Sequence, residues 1–164
     1  MDRKKNYICE MLVFVGMGVF FGKLYNKCCK KVKVEKSIIS PNRFEVGFHI
    51  LSNWLKIKNE AKKLETYFLE NEISTIAIYG MGALGERLFE ELKNSDIKVL
   101  YAIDRIANSK KIDGLKIVSV EEELSIVDAI VITPVQDYYT IEEQLEKKTD
   151  ADIISLEDII DFCR

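Results

Sequence analysis

The stretch from Ser74 to Leu92, STIAIYGMGALGERLFEEL, admits few folds. Ser74 to Tyr79 is short, apolar and β-branched, the pattern of a strand buried on both faces. Ala83, Leu84, Leu88 and Leu92 then recur at helical steps, with Glu86, Glu90, Glu91 and Lys93 outside the stripe. Between strand and helix stand Gly80, Gly82 and Gly85. A second apolar run, Ile97 to Ile103, follows, reads as a second buried strand and closes at Asp104. Strand, glycine turn, helix and strand within about thirty residues make a βαβ unit, and such a unit commits the chain to parallel pairing.

The remainder repeats the alternation. Leu115 to Val118, Asp128 to Thr133 and Asp152 to Ile154 read as short strands. Val120 to Leu124 reads as a clipped helix, and Leu156 to Phe162 as a terminal one. Gln136 to Lys147 reads as a helix with Tyr138, Ile141 and Leu145 inward. The expected fold is α/β, a doubly wound parallel sheet of order 3-2-1-4-5 over residues 72–164. Its switch point lies between the first and fourth strands. That brings the glycine turn and the Thr133-Pro134-Val135 turn to one crevice, with Thr133 and Gln136 as candidate ligand contacts.

Each glycine has a reading. Gly80 permits the tight turn, Gly82 lets a phosphate approach the backbone, and Gly85 lets the helix pack close to the strand. Amides at the helix start, at the positive end of its dipole, are suited to a pyrophosphate. Asp104 stands nineteen residues after Gly85, where a carboxylate accepts hydrogen bonds from a ribose hydroxyl. It favours NAD over NADP, and the adjacent Arg105 softens that preference. The expected cofactor-binding set is Gly80, Met81, Gly82, Ala83, Leu84, Gly85, Asp104, Arg105, Thr133 and Gln136. The competing reading is a compact turn that binds nothing, with Asp104 a strand-end turn residue.

Residues 74–160 resemble the NAD(P)-binding Rossmann domains. More narrowly, they are similar to small half-Rossmann domains of bacterial surface-polysaccharide and sugar-nucleotide proteins. The resemblance rests on Gly80, Gly82, Gly85 and Asp104, and implies NAD, NADP or a sugar nucleotide as ligand. Ala83 stands where extended sugar-nucleotide epimerases have the second glycine of their turn. No tyrosine has a lysine four residues later, so the catalytic pair of the short-chain reductases is missing.

Upstream, Tyr7 to Gly22 carries one charge, Glu10, and the run extends to Tyr25 if Lys23 snorkels. About twenty apolar residues span a bilayer, so residues 7–25 are expected to form a membrane anchor; an interfacial helix and a cleaved signal peptide are the alternatives. Six lysines follow the run and three basic residues precede it, which places the remainder in the cytoplasm by the positive-inside rule. Residues 1–40 are thus an anchor and basic linker. Residues 41–71 read as an amphipathic arm with Phe44, Phe48, Leu51, Leu55, Ala61, Leu64 and Phe68 as its stripe, widened by Trp54 and Ile57. This arm either packs on the following domain or forms a homodimer.

Charge excludes one partner class. Residues 1–40 hold nine Lys/Arg and three Asp/Glu; residues 41–164 hold fifteen and twenty-four. An acidic body opposes nucleic-acid binding, which rests on phosphate neutralisation. Cys9, Cys28, Cys29 and Cys163 form no Cys-x-x-Cys pair, and the one histidine, His49, is remote from them, so no metal site is expected. The crevice rim offers Asp137, Tyr138 and Tyr139 as its polar groups, with Tyr138 expected to pack and Asp137 to cap a helix. Three readings follow: an accessory nucleotide-binding module at the membrane, an NAD-dependent or sugar-nucleotide enzyme completed by a dimer or partner, and a structural interaction protein.

Overall fold

The computed structural model describes residues 43–105, 112 and 114–164. Its centre is a sheet of five parallel strands: β1 (Thr75–Tyr79), β2 (Lys98–Ile103), β3 (Ile117–Val118), β4 (Ala129–Ile132) and β5 (Asp152–Ser155). They lie in the order β3-β2-β1-β4-β5, as the strand–helix alternation predicts. Strand β1 is central, paired with β2 on one side and β4 on the other. Its interior residues are wholly buried, which is why it shows no polar alternation.

Both faces of the sheet are covered. Ile76 and Ile78 face a cluster shared with α1 (Arg43–Asn59), α2 (Glu65–Glu70), α3 (Ala83–Leu92) and α5 (Leu156–Cys163). Ala77 and Tyr79 face the opposite cluster, built with Tyr138, Ile141 and Leu145 of α4 (Tyr138–Leu145). The three inward residues read from the 136–147 pattern are therefore the buried ones.

Four expectations are corrected. Val120 to Leu124 is not a helix. Ser119 and Glu122 do make a capping-box contact, with Ser119 N donating to Glu122 Oε1 at 2.7 Å, but only one turn closes behind it. The Tyr101 hydroxyl then donates to the Ser125 carbonyl at 2.7 Å and ties the chain to β2. Second, β2 is not buried throughout: the β1–β2 register slips between Ile76 and Ala77, Leu100 drops out of the pairing, and it is 46% exposed. Third, the 41–71 arm is two helices, broken at residues 60–64 where Ala61 adopts a φ of 55°. Fourth, its buried face is Ile50, Trp54 and Ile57, whereas Phe44, Phe48, Leu51 and Leu55 are exposed. Leu64 and Phe68 are fully buried as expected.

Among the described residues, no helix is long and apolar enough to cross a membrane. The expected anchor at 7–25 lies outside the described residues.

One carboxylate fixes the start of two neighbouring strands. Asp128 Oδ2 accepts from Ser74 N at 3.0 Å, Thr75 N at 2.7 Å and Thr75 Oγ1 at 2.9 Å. These bonds, from the Ser74 and Thr75 amides first, hold the Asp128 carboxyl below its ordinary value. A depressed folded-state pKa adds stability above the unfolded value near 3.9, lost as pH falls through the folded one. Because the group is exposed, its contribution is small, about 1 kcal/mol. Asp128→Asn should lower the melting temperature by a few degrees at pH 7, and the gap between variant and parent should narrow below pH 4. A gap unchanged from pH 7 to pH 3 would exclude this role.

Candidate functional site

A cavity of about 220 Å³ lies at the C-terminal ends of β1 and β4. Gly80, Gly82, Ala83 and Leu84 form one wall, and Thr133, Pro134, Val135 and Gln136 the second. The two turns read from the sequence as sharing a crevice do share it. The third wall is α1, through Arg43, Gly47 and Ile50. Sequence reasoning placed none of these three at the site.

The glycine turn is built by specific constraints. Gly80 donates its amide to Ile103 O at 2.8 Å and adopts a φ of +89°, open to glycine at little cost. A Cβ there would also meet Pro134 Cδ at 2.8 Å and Thr133 Oγ1 at 2.9 Å. Gly85 lies beneath the turn, where a Cβ would run into the Gly80 carbonyl oxygen. Gly82 differs from both. Its φ of −79° suits any residue, and a Cβ there would meet nothing within 4 Å. It caps α3 without a side-chain acceptor, so it presents bare backbone to the cavity. The amides of the first helical turn have no acceptor within the helix.

Other predicted residues hold the loop. Thr133 is buried, and its hydroxyl donates to Gly80 O at 2.7 Å, with Tyr79 O at 3.2 Å. Asp104 Oδ2 accepts from Met81 N at 2.8 Å, tying the end of β2 to the turn. The Met81 side chain is buried in the core, away from the cavity lining. Asp104 and Arg105 are not among the residues lining the cavity. Gln136 lines it, but its Nε2 donates to Arg43 O at 3.1 Å.

The rim contains one departure from expectation. Asp137 makes no side-chain cap on α4; its carboxylate pairs with Arg43 at 2.8 Å instead. Tyr138 packs as expected, its hydroxyl lying 2.9 Å from Ile153 O and 2.8 Å from Glu142 Oε1. Burial first, and the Glu142 carboxylate second, push its phenol far above the ordinary range, so it stays neutral. Among the described residues no cluster of His, Cys, Asp or Glu suits a metal ion. His49 is exposed on α1 and does not line the cavity.

Gly47 is the second glycine that the fold does not demand. It sits inside α1, where glycine costs about 0.5–1 kcal/mol relative to alanine, and a Cβ there would meet nothing within 4 Å. Gly47 and Gly82 line the same cavity from different walls.

Residues 72–158 match the family model described as C2185-like, N-terminal, over slightly more than half of the chain, and the chain belongs to that family. No curated protein and no solved structure matches it.

Proposed function

We propose that this member of the C2185-like family is a nucleotide-binding module. In this reading it holds the phosphate-bearing part of NAD(P) or a sugar nucleotide between the Gly80–Gly85 turn and α1. The observation that carries it is Gly82. Gly80 is required by its φ and Gly85 by its packing, but Gly82 has open space and an ordinary backbone. A glycine at a cap position, where Ser, Asp or Asn would serve the helix better, is accounted for by a ligand that must approach the backbone. Gly47 supports the same reading, because it keeps the opposite wall bare at a cost to helix stability.

The fit is to a phosphate and what adjoins it. The cavity's 220 Å³ is smaller than the roughly 300–1,000 Å³ of most ligand pockets. A complete dinucleotide therefore requires α1 to give way at its Arg43 end. That end is held by the Arg43–Asp137 pair, whose side chains are 72% and 33% exposed, a contact worth at most about 1 kcal/mol. The amides of Ala83 and Leu84 would face the phosphate, and Asp104 would take a ribose hydroxyl. Arg43 is the cation of the lining, which contains no carboxylate, imidazole, thiol or phenol. That composition favours a binding module over a complete active site. We place the Rossmann-like domain at the cytoplasmic face of a membrane, held by residues 7–25, as an accessory to surface-polysaccharide assembly.

The test is calorimetric titration of the full-length chain with NAD, NADP and a uridine-diphosphate sugar, with thermal melts alongside. Saturable binding of one ligand is expected, lost in Gly82→Val with little change in melting temperature. Gly47→Ala should raise the melting temperature by a few degrees while weakening the same ligand at least ten-fold. A folded parent protein silent to all three ligands would leave the glycines as a turn.

A further inference from the structure

We infer that α1 mediates an antiparallel homodimer through its outer face. Phe48, Leu51 and Leu55 are 63%, 44% and 61% exposed, and Phe44, at 78%, continues their line by one turn. Their spacing of four, three and four residues is the alternating step of a coiled-coil seam. The helix has a separate apolar face, Ile50, Trp54 and Ile57, which is already buried in its own domain. The outer seam is therefore not needed to dock α1.

The charges beside the seam select a second copy as its occupant, and they select an orientation. Glu45 and Lys56 are both exposed and eleven residues apart, about three helical turns, so they flank the seam on the same side. Two copies related by a two-fold axis near residues 48–51 set Phe48 of one protomer against Leu51 of its partner. The same operation brings Glu45 within two residues, about 3 Å along the axis, of the partner's Lys56 at both ends of the seam. A parallel pair would stack Phe on Phe and Leu on Leu and would forgo the Glu45–Lys56 pairing. Glu45, on the flank it shares with Lys56, opposes an anionic bilayer on that side. The seam spans only about two heptads, so the dimer should dissociate in the micromolar range, as small interfaces do. This inference stands independently of nucleotide binding, since the seam is not part of the cavity lining.

Sedimentation equilibrium of the full-length chain in a neutral detergent tests it. A reversible dimer is expected, converted to monomer by Leu51→Glu with an unchanged melting temperature. Glu45→Lys and Lys56→Glu should each weaken the dimer several-fold, and the double variant should restore it. A monomeric parent, or a dimer indifferent to Leu51→Glu, overturns the proposal. A monomer that floats with anionic vesicles through the seam overturns it in favour of a bilayer. A double variant no tighter than either single one overturns the antiparallel arrangement.

Discussion

Gly85→Ala should lower the unfolding free energy by about 3 kcal/mol or more, the upper range for an overpacked site. The new methyl would be driven into the Gly80 carbonyl oxygen, which is backbone and cannot swing aside. To escape, either α3 lifts from the sheet or the Gly80 turn moves. Lifting α3 loosens Leu88 and Leu92 from the core cluster. Moving the turn strains the Gly80 contacts with Thr133 and Ile103. Neither route is cheap, and a loss of roughly 10 °C in melting temperature follows for a domain of this size. Gly82→Ala, three residues earlier in the same motif, should change stability by less than about 1 kcal/mol, because its Cβ enters open space. Thermal melts of the two variants followed by circular dichroism decide the point. Equal losses would mean that Gly82 is also a structural glycine, and would remove the main support for a ligand at the turn.

That contrast is only partly legible in the sequence. The Gly-x-Gly-x-x-Gly spacing identified the turn, because a strand and a helix flank it. It did not separate the glycines that serve the fold from the one that does not, since that depends on what surrounds each Cβ. The sheet order was legible because three of the four strand-to-strand steps join parallel neighbours and the step from β3 to β4 returns to the other side of β1, and parallel connections leave few such arrangements. The Thr133 turn was placed correctly for the same reason. Asp104 admits two roles by its position, a ribose contact and a strand-end turn residue. Its bond to Met81 N gives it a task in the loop that no spacing rule indicates.

The arm was the least legible element. Helix α1 is apolar on two faces, and periodicity finds both stripes without saying which one docks. Phe44, Phe48, Leu51 and Leu55 form the more regular series, yet Ile50, Trp54 and Ile57 are buried. The choice is made by groups distant in sequence. Glu91 on α3 accepts from the Trp54 indole at 2.6 Å and from the Leu64 amide at 3.1 Å, and pairs with Lys58 at 3.2 Å. Sequence placed Glu91 on the outer side of its helix, which is true of α3 alone. The arm then covers that side, leaving the Glu91 side chain 10% exposed.

Glu91→Ala should consequently cost about 2–4 kcal/mol, because two buried donors lose their acceptor while Lys58, 47% exposed, stays hydrated. Leu64 is fully buried and Trp54 is 5% exposed, so an amide and an indole would lose their acceptor in a site with little access to water. Glu91→Gln should recover part of the loss, since one amide oxygen still accepts but Lys58 has no charge to meet. Trp54 is the one tryptophan of the chain, so its emission reports the docking of α1 directly. Because Ile50, Trp54 and Ile57 share a core cluster with the sheet and α5, fluorescence and circular dichroism should melt together, at a lower temperature in the variant. An indole that reddens well before the sheet melts would instead make α1 a separable unit. It would then be able to leave the cavity it shares with Gly82 without unfolding the domain. A variant with parental stability and unshifted emission would show that apolar burial alone holds the arm.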